Sequence, residues 1–273
     1  MDVSVFFDLL LGELRQNPGL RKYYRFLESK SGFEFRKAYF CQRLQYIRDH
    51  ISSPSQRIWD CGCGYGTTGF FLALNGIPSY GTTLEFYFKQ IPSRIRYWKK
   101  HGDLGLFTYS YENLFDSQPA PASKDIIIIQ DTLHHLEPLQ EALAIFSKVL
   151  APGGRLLIVE ENGNNVIQNL KLFLRRGNKR IIEIYDETLK KNIMLGNENI
   201  RGLDSWKAEL ARQQFRVIDD ETQYVRFYPP FAFKKNNTEK LLEKEQQLWK
   251  RSAPLKEYLF FGLSFMAEKE HAV

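Results

Sequence analysis

Three glycines at alternate positions, Gly62, Gly64 and Gly66, follow the run Arg57-Ile-Trp-Asp60 and precede the apolar stretch Gly69-Phe-Phe-Leu-Ala-Leu74. Ile58 and Trp59 have the character of a buried strand end, and the stretch after the glycines that of a helix. A strand, a glycine turn and a helix in that order let backbone approach a ligand closely, because a side chain at the glycines would limit both the approach and the backbone angles. The N–H groups at the helix start favour polar or anionic ligand groups. Gly64-Tyr-Gly66-Thr-Thr-Gly69 also satisfies G-x-G-x-x-G, the fingerprint of dinucleotide-binding turns. A second reactive set lies in Asp131-Thr-Leu-His134-His135. Histidine's pKa suits proton abstraction near neutral pH, so either imidazole is a candidate general base. The plainer reading is a helix-start residue that braces the loop. Asp131, Glu160 and Glu161 could orient an amine or hydroxyl. No His/Cys/Asp cluster has the spacing of a metal site, so none is expected.

The elements that must position these residues alternate in type. Apolar residues at helical spacing predict helices over 2–15 and about 33–51, with another over 20–29. These either pack on a sheet edge or form a lid over the ligand, supplying Tyr23, Tyr24, Tyr39 or Phe40. Strands are predicted at 79–84, 106–111, 125–130 and 155–160. Asp125-Ile-Ile-Ile-Ile-Gln130 is apolar at consecutive positions, as parallel strands buried on both faces are. Between the strands, helices are predicted over 86–101, disturbed at Pro92, and over 139–150, ended by Ala151-Pro-Gly-Gly154. Beyond Glu160 the pattern predicts helices at 165–176, 185–193, 204–213 and 237–249, a sixth strand within 215–227 and an aromatic last strand at 258–267. Strands alternating with helices indicate an α/β fold.

Three ordered landmarks span residues 57–160: Asp60-Cys-Gly-Cys-Gly-Tyr-Gly66, Asp131-x-x-His134-His135, and Leu150-Ala-Pro-Gly-Gly154 before an apolar strand. Together they resemble a class I S-adenosylmethionine (SAM) dependent methyltransferase of the small-molecule type. The resemblance implies a Rossmann-like seven-stranded sheet with a late antiparallel hairpin, N-terminal helices and a helical cap inserted after strand five. It divides the chain into an N-terminal helical extension (1–52), a SAM-binding core (53–160), a cap (161–203) and the C-terminal part of the core (204–273). It implies SAM as cofactor, with Asp60 bracing a loop of Cys61, Gly62, Gly64 and Gly66 under the amino-acid end. The ribose falls to Thr83, Glu85 or Gln90, the adenine amino group to Glu112 or Tyr111, and the SAM amino group or the acceptor to Asp131. Gly81-Thr-Thr-Leu84 is also similar to a segment of cyclopropane-fatty-acid synthases, which keeps a lipid-modifying enzyme open. So do two other readings stand: a SAM-binding protein without catalysis and, more distantly, an NAD-dependent oxidoreductase.

The chain has 273 residues, 43% hydrophobic and 26% charged, which fits a packed core. A net charge of +6 fits an anionic substrate, a membrane surface or nucleic acid, and selects none of them. No arginine–aromatic RNA-binding module is present, and the Phe and Tyr content of the flanking helices favours a small, largely apolar acceptor over nucleic acid. Arg175, Arg176, Lys179 and Arg180 form a basic cluster, either a solvated helix end or a contact for an anionic substrate or peripheral membrane surface. Cys41, Cys61 and Cys63 fit neither a disulfide framework nor a zinc site. The N-terminal apolar run is broken by Asp8 and lacks a basic flank, so no signal peptide is expected and the cytoplasm is the default location. Oligomeric state is left open.

Overall fold

The computed structural model describes residues 1–28, 32–84, 86–234, 236–251 and 253–270. Helices α1 (Val3–Gln16), α2 (Pro18–Tyr24) and α3 (Phe33–Asp49) precede the first strand, β1 (Ile58–Cys61). The Asp2 carboxylate caps α1 by accepting from Ser4 and Val5 N–H. Asn17 ends α1 and caps α2, where Pro18 takes the first turn, which needs no donor. The core then alternates: α4 (Thr67–Ala73), β2 (Ser79–Thr83), α5 (Ile91–Trp98), β3 (Phe107–Tyr111), β4 (Lys124–Gln130), α6 (Leu139–Val149) and β5 (Leu150–Glu161). Pro92 lies in the first turn of α5, preceded by a 3-10 turn at Phe86–Gln90.

Seven strands form one sheet in the order β3-β2-β1-β4-β5-β9-β8. The first five pair in parallel. β9 (Gly262–Lys269) runs antiparallel between β5 and β8 (Phe215–Val225). Ile126 and Ile128 face a core shared with α1 and α4, and Ile127 and Ile129 one shared with α6 and α8 (Leu203–Ala211). That two-sided burial explains the unbroken apolar run. The order reverses between β1 and β4, so the crevice at their C-terminal ends is where such sheets take ligands.

The structure corrects the cap. Residues 185–193 do not form a helix. After α7 (Val166–Arg176) the chain makes a hairpin of β6 (Ile181–Asp186) and β7 (Lys191–Gly196). Ile181, Ile182 and Ile184 favour strand over helix through their β-branched side chains. The Asp186 carboxylate then closes the turn, accepting from Thr188 and Leu189 N–H at 2.8 Å each. The sixth strand is continuous through β8, with a register shift between Ile218 and Gln223. The last strand begins later than its aromatic pattern indicated. Tyr258 and Leu259 end α10 (Ala253–Leu259), which follows α9 (Thr238–Arg251). Among the described residues no helix is long and apolar enough to cross a membrane.

Candidate functional site

The glycine turn is held from both sides. Gly62 and Cys63 N–H both donate to the Thr82 carbonyl, at 2.8 and 3.0 Å. Gly62, Gly64 and Gly66 have φ of +88°, +49° and +75°, the left-handed region that glycine enters without strain. A Cβ on Gly62 would lie 2.2 Å from Thr132 Oγ1, so this glycine also lets the turn pack against the loop after β4. A Cβ on Gly64 would meet nothing within 4 Å.

Asp60 lies beneath the turn, 1% exposed, and neither carboxylate oxygen has a hydrogen-bond partner. Burial pushes its pKa up to about 7. A raised acid pKa means that the fold prefers the neutral form. Below about pH 4 folded and unfolded chains are both protonated. From there to about pH 7 the unfolded chain sheds a proton that the fold retains, so stability falls as pH rises, by at most about 4 kcal/mol. The cofactor-free Asp60→Asn variant is therefore expected to gain on the wild type across that window. Urea midpoints at both ends check this, and a constant difference would contradict it. Burial disfavours the neighbouring thiolates: it raises Cys61 to about 12 and Cys63 well above its ordinary value.

A cavity of about 720 Å³ opens above the turn. Cys61, Gly62, Gly64, Thr83, Glu112, Asp131, His134 and His135 all line it. Glu112 is fixed by accepting from Tyr80 Oη at 2.9 Å and Ser110 Oγ at 2.7 Å. Gly66 sits behind the lining as the N-cap of α4. Gln90 does not reach the cavity: its Oε1 accepts from Asn17 Nδ2 at 3.2 Å, and the ribose role expected of it has no geometric support. Glu85 lies outside the described residues. Tyr111 points to the hairpin instead, its hydroxyl 2.8 Å from Asp186 Oδ2. Of the helical-extension residues, Tyr23, Tyr24 and Phe40 cover the cavity, while Tyr39 donates to Glu245 on α9 at 2.5 Å.

The two histidines differ in state. His134 is 3% exposed, its Nδ1 bonded to Glu160 Oε2 and its Nε2 3.8 Å from Glu198 Oε2. Burial opposes its charge, but Glu160, Asp131 and Glu198 outweigh that and raise its pKa to about 9. Glu160 also accepts from Thr132 N–H at 3.1 Å and Leu133 N–H at 2.6 Å, so it braces the loop rather than facing an acceptor. His135 Nδ1 lies 2.7 Å from the Gly196 carbonyl, which can only accept. Nδ1 therefore carries the proton, and Nε2 keeps its lone pair. Burial first, then the charge on His134, lower the His135 pKa. Asp131 pairs with Arg43 at 2.5 Å. Burial would raise its pKa, but Arg43 and Arg226 hold it below the usual value.

Sequence spacing missed two participants. Glu198 comes from the loop after β7, with φ +54°, and completes a donor group with His134 and His135 whose ligand atoms lie within 4.8 Å of one another. That cluster departs from the expectation of no metal-binding arrangement, although Glu160 already holds His134 Nδ1 and the surrounding carboxylates favour the protonated ring, which has no lone pair for a metal. Arg94 lies 0% exposed behind the turn, donating to the Tyr65 carbonyl at 2.8 Å and to Thr67 Oγ1 at 2.7 Å. Its guanidinium is paired with Glu13 of α1 at 2.7 and 2.8 Å. An arginine and a glutamate so far apart carry no sequence signal of that contact.

Residues 59–156 match the family model described as "Methyltransferase domain". The chain is 31% identical over 110 residues to the O-methyltransferase resE of Aspergillus sclerotiorum, covering 40% of this chain and 41% of that protein. It is 27% identical over 155 residues to the sterol methyltransferase-like 2 of Botryococcus braunii, covering 56% of this chain and 36% of that protein. The alignments thus span about two fifths of those relatives. The fold is similar to that of a geranyl diphosphate methyltransferase solved with GPP and sinefungin, at a TM-score of 0.59 and 14% identity, over 89% of this chain and 85% of the other. The glycine turn, the sheet order and the match over residues 59–156 agree on a methyltransferase domain, in a fold similar to that of solved methyltransferases.

Proposed function

We propose that the chain transfers the methyl group of SAM to a small, largely apolar acceptor, at oxygen, releasing S-adenosylhomocysteine. The observation that carries this is a single cavity joining the glycine turn to the histidine pair, with Leu136, Ile193 and Leu195 on its acceptor side. The lining fits SAM: Thr83 and Glu112 line the cavity and offer polar groups to a ribose and an adenine, and the Asp60 carboxylate, buried beneath the turn, has no hydrogen-bond partner. Asp131 offers a carboxylate to the SAM ammonium or to an acceptor group. SAM supplies an activated methyl, so the protein's task is to align the acceptor and exclude water. Tyr23, Tyr24 and Phe40 exclude water from above. His135 Nε2 takes the acceptor proton, while His134 stays charged between its carboxylates and holds the loop. The 31% identity with an O-methyltransferase supports oxygen over carbon.

Calorimetric titration with S-adenosylhomocysteine and with NADH tests the cofactor. Micromolar binding of the first alone is expected, and binding of NADH alone would overturn the reading. Labelled SAM incubated with a lipophilic cell extract is then expected to yield a metabolite heavier by one methyl; transfer only to RNA or protein would refute a small acceptor. Activity is expected to survive exhaustive treatment with EDTA. Its loss, with recovery on adding a divalent ion, would assign His134, His135 and Glu198 to a metal instead.

A further inference from the structure

Helix α7 presents its apolar face to the outside. At 100° per residue, Val166, Ile167, Leu170, Phe173 and Leu174 share an arc of about 120°. All five are exposed, Leu170 by 60% and Leu174 by 78%, whereas Leu172 on the opposite side is buried. α10, which packs against α7, adds the exposed Tyr258 and Leu259. Lys171 borders the arc, Arg175 lies about 80° beyond its edge, and Arg176, Lys179 and Arg180 follow at the helix end. Residues 162–182 contain no acidic side chain. On the hairpin of the same cap, Ile184 and Met194 are exposed and also line the cavity, so the cap's apolar exterior continues into the cavity rim.

An outward apolar stripe bordered by lysine and arginine is the pattern of a helix lying in a membrane interface. It is costly to leave in water. Pairing with a second copy would bring two clusters of like charge together, and residues 162–182 supply no acid to offset them. An anionic headgroup layer instead satisfies both the apolar arc and the cations. We propose that the α7 face of the cap docks on an anionic lipid bilayer, with the five apolar side chains at headgroup depth and Lys171, Arg175, Arg176, Lys179 and Arg180 against the lipid phosphates.

Flotation of the full chain with phosphatidylcholine vesicles, with and without phosphatidylserine, tests this. Binding is expected on the serine-containing vesicles and at least tenfold weaker on phosphatidylcholine alone. The Leu170→Glu/Leu174→Glu variant is expected to bind at least tenfold more weakly with an unchanged melting temperature, since both side chains are exposed. Arg175→Glu/Lys179→Glu is expected to remove the preference for the anionic lipid. Absence of wild-type binding, or equal binding by the Leu170/Leu174 variant, overturns the proposal. So does a wild-type dimer, seen by sedimentation without vesicle binding, that the same variant dissolves.

Discussion

Replacing His135 by alanine is expected to lower kcat by roughly a hundred- to ten-thousand-fold, the range a general base contributes. Affinity for S-adenosylhomocysteine is expected to stay within about twofold, because the base acts on the acceptor and the glycine turn is untouched. The assignment rests on tautomer and charge. The Gly196 carbonyl, 2.7 Å from Nδ1, forces the His135 proton to that nitrogen and leaves Nε2 able to accept. His134 has no such lone pair at neutral pH, because Glu160 and Glu198 hold it charged with a pKa of about 9. The pH profile separates the two. With His135 as base, kcat rises with pH through a value below the ordinary 6.5 and is level by neutrality. With His134 as base, kcat would keep rising to about pH 9. A profile still climbing between pH 7 and 9, with His135→Ala near wild-type activity, would reverse the assignment.

What the chain discloses before folding is what is local. The glycine turn, the Asp131-x-x-His-His loop and the Pro-Gly-Gly turn each carry their signal within a few residues; the first two meet at one crevice because β1 and β4 are parallel and end together there, while the third lies at the opposite end of the sheet, where β5 begins. The seven-stranded sheet with its late antiparallel hairpin was implied by the family resemblance, and β9 lies between β5 and β8. The hairpin at 181–196 was hidden because its residues alternate too briefly to exclude a helix, and its turn depends on Asp186 meeting two N–H groups. Gln90 was placed by position in a motif, yet the 3-10 turn at Phe86–Gln90 carries it to Asn17. Glu198 and Arg94 were illegible because each matters only through partners distant in the chain. The difference between two adjacent histidines was illegible for the same reason: Glu160 and the Gly196 carbonyl decide it.

Arg94 carries the second large effect. Replacing it by methionine is expected to destabilise the protein by about 3–5 kcal/mol, the cost of leaving the partner of a buried ion pair uncompensated. Glu13 is 2% exposed, and besides Arg94 it accepts from Trp98 Nε1 at 2.7 Å. Removing the guanidinium leaves that carboxylate in the apolar layer between α1 and α5, and also removes its bonds to the Tyr65 carbonyl and to the Thr67 hydroxyl, which keeps Tyr24 Oη at 2.5 Å. Two consequences separate here. Glu13→Leu combined with Arg94→Met removes both charges, so urea midpoints are expected to recover most of the lost stability. Cofactor affinity is not expected to recover with it, because the two bonds from Arg94 to the turn are still missing in the double variant. If calorimetry found S-adenosylhomocysteine bound as tightly by the double variant as by the wild type, Arg94 would be only a tie between helices. If affinity stays depressed while stability returns, the Arg94 guanidinium couples the helical extension to the glycine turn, alongside the Tyr24–Thr67 hydrogen bond.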